Sequence, residues 1–422
     1  MRARVFGIVV MPLALLANGQ PDRSFGTAGA VATSPGKASL ATDNAIVVTP
    51  SGSIVVAGSL LHPGNSGERN DFALVRYLSN GKLDTAFGGG AVITPILSTS
   101  SKIEALRAQR DGGVVAAGVA FALSTPEFAL ARYLASGALD PHFGAGGIVT
   151  TKVLGGSFAK ALAVQRDGRL VVAGYAADPS RNYGNVVAIA RYQSSGGLDP
   201  SFGSGGIVTD ARGQDATGVA VDAHGRIVVA ASGCPHACVF RFTSTGKPDP
   251  RFGTHGQSAV AAFDPPAALA LDPGGRPVLV GSGYNSQTNA SYAARYTTSG
   301  ALDQTFGSHG IATVKPLPAS GPVCCGSASA VLLEHGRIVL AGGEDRFGTT
   351  CGKFELVQLL ANGKPDPSFG RDGRAYVCLP PGITGYPLAL ARYGNRDILA
   401  TGTGASNGTS TQWFVTVRVH DR

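Results

Sequence analysis

The chain has 422 residues, a net charge of +8, 44% hydrophobic residues and 60 glycines, about twice the usual glycine share. That apolar content excludes a disordered chain, and glycines confined to fixed places exclude a collagen-like one. The positive charge forms no Lys/Arg run and most arginines recur singly, so the clustered basic stripe of a nucleic-acid binder is missing and no nucleic-acid partner is expected.

From the N-terminus, Met1-Arg-Ala-Arg4 is followed by an almost wholly apolar run to Ala17. A basic start and a short apolar stretch fit a secretory signal peptide over 1–17, and the run is too short for a membrane span. A rival reading stays open. Leu15 to Gly26 nearly copies Leu359 to Gly370, which makes 13–17 the remnant of a repeat strand.

The rest, 18–422, is expected to be a single domain of seven repeats of about 50–63 residues. Each contains a G-x-x-D-x-x-F-G-x-x-G corner. The corner aspartates are Asp22, Asp84, Asp140, Asp199, Asp249, Asp303 and Asp366, in steps of 62, 56, 59, 50, 54 and 63 residues. Residues 158–210 display one unit. A first strand runs from Phe158 to Arg166, and Asp167-Gly168 is a two-residue hairpin turn. An apolar second strand runs from Arg169 to Gly174. After a polar loop comes a third strand, Val186 to Tyr192, then the corner and a short fourth strand, Gly206 to Thr209. The second strand recurs seven times, as in Ile54-Val-Val-Ala-Gly58 and Ile338-Val-Leu-Ala-Gly342.

Radial repetition of such meanders predicts an all-β, seven-bladed β-propeller of four-stranded antiparallel blades. A linear solenoid is the runner-up, but it needs polar caps. The first ordered segment is a corner with a fourth strand (Ala28 to Thr33), and the last is a third strand (Trp413 to Val419). The N-terminal strand is therefore expected to complete the last blade and close the ring.

The corner, the D-G-R-[IL]-V-V-A-G strand and the A-R-Y third strand together resemble the delta-60 repeat family of bacterial proteins. The resemblance covers nearly all of 18–420 and is closest around Phe128 to Gly147. Gln358-Leu359 departs from it, standing where other repeats have Arg-Tyr. It implies a propeller-like, often exported protein and no particular reaction.

An arginine precedes each corner aspartate by eight positions: Arg76/Asp84, Arg132/Asp140, Arg191/Asp199, Arg241/Asp249 and Arg295/Asp303. Gln358/Asp366 breaks the series. Each aspartate is expected either to bind amides of its own turn or to pair with its arginine. A ring of charge lining a channel is the functional alternative. The corner phenylalanines read as core plugs.

Second-to-third loops and blade-crossing links vary and share one face, which makes that face the candidate binding surface. All six cysteines fall there: Cys234, Cys238, Cys324, Cys325, Cys351 and Cys378. In an exported chain they suggest disulfides: Cys234–Cys238, with Cys351 and Cys378 joined to Cys324 and Cys325 in an order the sequence leaves open. Cys234, His236 and Cys238 as a metal site is the weaker reading, because zinc wants four ligands.

The sequence shows no nucleophile elbow, zinc-helix motif or phosphate loop, and no cofactor is expected. The functional expectation is a secreted or cell-envelope bacterial scaffold, monomeric and non-catalytic, that holds a protein or carbohydrate ligand. The alternative is an extracellular lyase or hydrolase, acting on a polysaccharide or peptide, with its site at the mouth of the central channel.

Overall fold

A computed structural model describes residues 19–34, 40–62, 69–97, 100–234, 236–260, 265–283, 290–315, 323–346, 353–406 and 412–421. The expected signal segment, 1–17, lies outside them. The alternation of two-residue Gly turns and apolar runs folds as the repeats require. Seven four-stranded antiparallel sheets form a seven-bladed β-propeller. Blades I to VI span 40–94, 101–151, 157–210, 215–260, 266–314 and 323–378. Blade VII combines 383–420 with the N-terminal strand Ala30–Thr33.

Apolar side chains from both sides of each second and third strand are buried between neighbouring blades. Seven hydrophobic clusters result among the described residues, one at each blade interface. The corner phenylalanine of each blade belongs to the cluster it shares with the next. Phe87, for instance, packs with blade II residues Leu106 and Val114, and Phe143 with blade III residues Leu162 and Leu170. These plugs are almost fully buried, which removes a large apolar area from water.

A polar staple lies over six of the seven plugs. The Arg191 guanidinium donates from Nε to Asp199 at 2.8 Å and lies 4.7 Å above the Phe202 ring. It also donates to the Ser244 carbonyl of the next blade at 2.5 Å. The same triple contact recurs at Arg132, Arg241 and Arg295. Arg76 repeats it with Asp84, Phe87 and the Ala135 carbonyl. Each aspartate uses its second oxygen on its own turn, as Asp199 does with the Ser201 amide at 3.0 Å and hydroxyl at 2.7 Å. The two arrangements expected as alternatives therefore coexist. The arginine charge is desolvated, but it is paired and stacked on an aromatic face.

Blade VI replaces the staple. Gln358 occupies the arginine position and donates to Asp421 at 2.8 Å, while Arg337 reaches Asp366 at 2.9 Å. Arg337 is the arginine of the turn before the second strand. Its counterparts already support the corner elsewhere: Arg169 lies 3.2 Å from Asp199 and Arg276 lies 3.0 Å from Asp303.

The ring closes across blade VII. Ala30–Thr33 pairs antiparallel with Gln412–His420 in the register Ala30↔Val417 to Thr33↔Phe414. The closure carries its own staple. Arg418 donates to Asp22 at 2.7 Å, lies 4.9 Å above Phe25 and donates to the Ser79 carbonyl of blade I at 2.5 Å. His420 adds a contact to Asp397 at 2.8 Å.

Arg418→Ala strips a buried carboxylate of its partner, and such losses cost about 3–5 kcal/mol. Denaturant unfolding is expected to read a loss in that range, and a loss under about 1 kcal/mol would mean the seam does not depend on the pair. A second expectation concerns acid. The carboxyls of Asp22, Asp140, Asp199, Asp249 and Asp303 titrate below their ordinary value of 3.8. At Asp199 burial opposes the charge, and the Ser201 hydrogen bonds and Arg191 outweigh it. A depressed folded pKa gives stability that is complete above the unfolded value and lost as pH falls through the folded one. The carboxylate contribution should thus be flat above about pH 5 and fall steeply below about pH 4. Urea midpoints at successive pH values check this, and a fall completed above pH 5 would contradict it.

Candidate functional site

The first strand of every blade carries one extra residue at a β-bulge: Asn44, Glu104, Lys160, Thr217, Ala267, Ser329 and Leu388. Bulges bend a strand and re-aim a side chain. Opposite, the second strand supplies glycine in six blades, and Ala231 stands there in blade IV. At Gly174 close approach requires it, since a Cβ there would sit 1.8 Å from the Phe158 carbonyl oxygen. The seven bulges ring a central channel of about 390 Å³. Five bulge residues are polar, Asn44, Glu104, Lys160, Thr217 and Ser329, and the two charged ones stand on blades II and III.

At the loop-face mouth of the channel, charges and aromatic rings gather on blades II to IV. Lys102 pairs with Glu104 at 2.9 Å and Lys160 with Asp215 at 2.6 Å. The Phe158 ring stacks on Tyr175 at 4.9 Å, with Phe121 edge-on at 5.8 Å. All three rings are partly exposed. Desolvation, helped by the negative charges of Asp215 and Glu104, raises the Tyr175 pKa and keeps its hydroxyl a hydrogen-bond donor. Each carboxylate at the mouth is already held by a lysine. The chemistry on offer is recognition through aromatic faces and fixed polar groups.

Beside the mouth, the loop face exposes apolar side chains. Leu97 and Leu154 lie in blade-crossing links, and Leu123 and Tyr183 in second-to-third loops. Leu123 is 82% exposed and Tyr183 65%. All four have left-handed backbone, with φ of 58°, 52°, 57° and 59°. The loops are pinned: Gly155 and Gly156 exchange hydrogen bonds with Ala177, and the Phe121 amide donates to the Ser100 carbonyl. The candidate loops around 63–68, 284–289, 347–350 and 407–411 lie outside the described residues.

The arginine–aspartate pairs sit at the blade corners, and none lines the channel. Cys234 and Cys238 are bonded to each other. Cys378 is also disulfide-bonded, while the side chains of Cys324 and Cys325, and the whole of Cys351, lie outside the described residues. One cluster among the described residues has metal-ligand spacing: Asp22, Asp397 and His420. Arg418 already brings positive charge there, 2.5 Å from Asp22 and 3.8 Å from Asp397. The mouth and the left-handed leucines carry no sequence motif. The bulged residue has no fixed identity, and a leucine in a loop gives no warning of its backbone.

Among the described residues no helix is long and apolar enough to cross a membrane. No curated protein matches the chain. Residues 49–87, 109–143, 165–202 and 275–306 match a family described as a β-propeller domain of unknown function (DUF5122). Among solved structures, the chain is similar to a protein from Lactobacillus plantarum, at 14% identity over 87% of this chain and 96% of that one, with a TM-score of 0.50. It is also similar to a protein of unknown function from Dyadobacter fermentans, at 14% identity over 93% and 98%, with a TM-score of 0.45. An α-L-arabinofuranosidase from Fusarium graminearum matches at 10% identity over 96% and 97%, with a TM-score of 0.44. At these identities the likeness is one of fold. The matched repeats and the closed ring of blades together make this chain a β-propeller repeat protein.

Proposed function

We propose that the protein is an exported, non-catalytic binding scaffold whose loop face, over blades II and III, holds a protein ligand. The left-handed, exposed leucines carry this reading. An L-residue in that conformation costs roughly 1–2 kcal/mol, and an exposed apolar side chain returns none of it to folding. Strained backbone and exposed apolar surface are retained where a partner uses them. Leu97, Leu123, Leu154 and Tyr183, beside the aromatic rings at the mouth, form rigid anchors of the sort that dominate protein interfaces. Export is supported by the Cys234–Cys238 bond, which suits an oxidising compartment, and by the basic-apolar character of 1–17.

The test is a pull-down from the source organism's envelope and secreted fractions, with a glycan array in parallel, comparing the parent with Leu123→Asp/Tyr183→Ala. A protein retained by the parent and bound at least about tenfold more weakly by the double variant, a loss of about 1.4 kcal/mol, is expected, with thermal stability unchanged. Equal retention by both proteins, or a glycan bound with no protein partner, would overturn the reading.

A further inference from the structure

The face opposite the loops is charged unevenly. In an antiparallel meander the first-to-second turns and the third-to-fourth corners emerge on one side of the propeller. The corners expose Arg23, Lys82, Lys247, Arg251, Lys364 and Arg371, and the turns expose Arg110, Arg166 and Arg396. None of these belongs to a staple, and none is paired with a carboxylate among the described residues. The acidic groups of the same segments are mostly taken. The staples hold the corner aspartates, and Arg226 and Arg276 hold Asp222 and Asp272, each at 2.6 Å. Asp366 lies 2.9 Å from Arg337. Among the described residues of this face the exposed carboxylates are Asp111, Asp167 and Asp372, and Asp167 lies 3.2 Å from Arg169. Nine exposed cations therefore stand against three exposed carboxylates, and the face carries a positive field.

The arrangement of these cations matters as much as their number. They stand one or two to a blade on six of the seven blades, and blade V, with Gln304 at its corner, is the exception. A linear polyanion is matched by cations clustered in a stripe. Cations spread around a ring are all met at once by a flat anionic surface. The same face exposes Leu78 and Leu83 on the corner of blade I, either side of Lys82, and Leu134 on the corner of blade II. Apolar side chains among cations suit the boundary between lipid headgroups and acyl chains.

We propose that the corner face docks the protein on a membrane surface that contains anionic phospholipid. The headgroup phosphates supply the countercharge that the corner aspartates, already held by the staples, do not. Leu78, Leu83 and Leu134 enter the boundary region beside Lys82. Docking in this orientation turns the loop face away from the bilayer and leaves it open. The assignment goes beyond the loop-face reading and stands without it.

The probes are vesicles of phosphatidylglycerol mixed with phosphatidylcholine, vesicles of phosphatidylcholine alone, and heparin as a soluble polyanion, each titrated against the full chain. Two triple variants lose the same charge from opposite faces: Lys82→Gln/Lys247→Gln/Lys364→Gln from the corners, and Lys152→Gln/Arg181→Gln/Lys315→Gln from the loop face. The parent is expected to sediment with the anionic vesicles and not with phosphatidylcholine alone, to be released as salt rises, and to bind heparin more weakly than the vesicles. The corner variant should bind the anionic vesicles at least about tenfold more weakly, with its melting temperature unchanged, while the loop-face variant binds nearly as the parent does. Should the corner triple fail to fold, Lys247→Gln and Lys364→Gln made singly are each expected to weaken binding, and no weakening by either would overturn the proposal. It is also overturned by a parent that ignores anionic vesicles, by equal binding to phosphatidylcholine, by heparin binding as tightly as the vesicles, or by two triple variants that weaken binding equally.

Discussion

The fold depends on one arginine used several ways at once. In each staple a guanidinium holds the corner carboxylate of its own blade, covers the phenylalanine that plugs the next interface, and donates to a carbonyl of the neighbouring blade. The fork geometry makes this possible, because Nε and the terminal nitrogens point in different directions from one plane while the face of that plane remains free to stack. Lysine has a single ammonium and could make the ion pair alone. The glycine after each phenylalanine completes the joint. Its amide also crosses to the next blade, as Gly203 does to the Thr245 carbonyl at 2.9 Å. Neighbouring blades are thus joined by side chain, main chain and apolar contact within a few residues, which explains why this short stretch is repeated more faithfully than any other.

Much of this was legible in the sequence, because periodicity encodes packing demand. The corner aspartates gave the blade count, the strand-turn-strand pattern gave the sheets, and the unmatched half-repeats at the two ends gave the closing pair. Legibility failed where a role moved away from its expected position. Arg418 is the closing staple, but it stands in Val417-Arg418-Val419 with its aspartate 396 positions away, so no local motif joins them. In blade VI the role passes to Arg337, and Gln358 turns instead toward Asp421. These exchanges are set by three-dimensional proximity and cannot be read from spacing.

The candidate site was less legible still. The repeats specify the bulge through the glycine opposite it, yet leave the bulged residue free, since its side chain enters the channel and packs against no invariant neighbour. Asn44, Glu104, Lys160, Thr217 and Ser329 therefore differ, and the channel acquires charged groups on blades II and III that no single repeat foreshadows. The same freedom operates on the loop face. Hydrogen bonds at Gly155, Gly156 and Phe121 fix the backbone, leaving Leu123 and Tyr183 unconstrained by the core. The scaffold is uniform where blades touch each other and individual where they touch solvent.

Closing the last blade with strands from opposite ends of the chain makes the molecule a circle with a single nick. The nick lies within a sheet, between Ala30–Thr33 and Gln412–His420, rather than in a link between blades. Synthesis from N- to C-terminus therefore leaves the final edge unsatisfied until the last strand emerges, and the partly made chain carries an open sheet edge at each end. A circular permutant that joined the native ends through a linker and opened the chain in a link between blades would turn the seam into an ordinary hairpin-like connection. It would also exchange the long-range closure for two ends that no longer need each other.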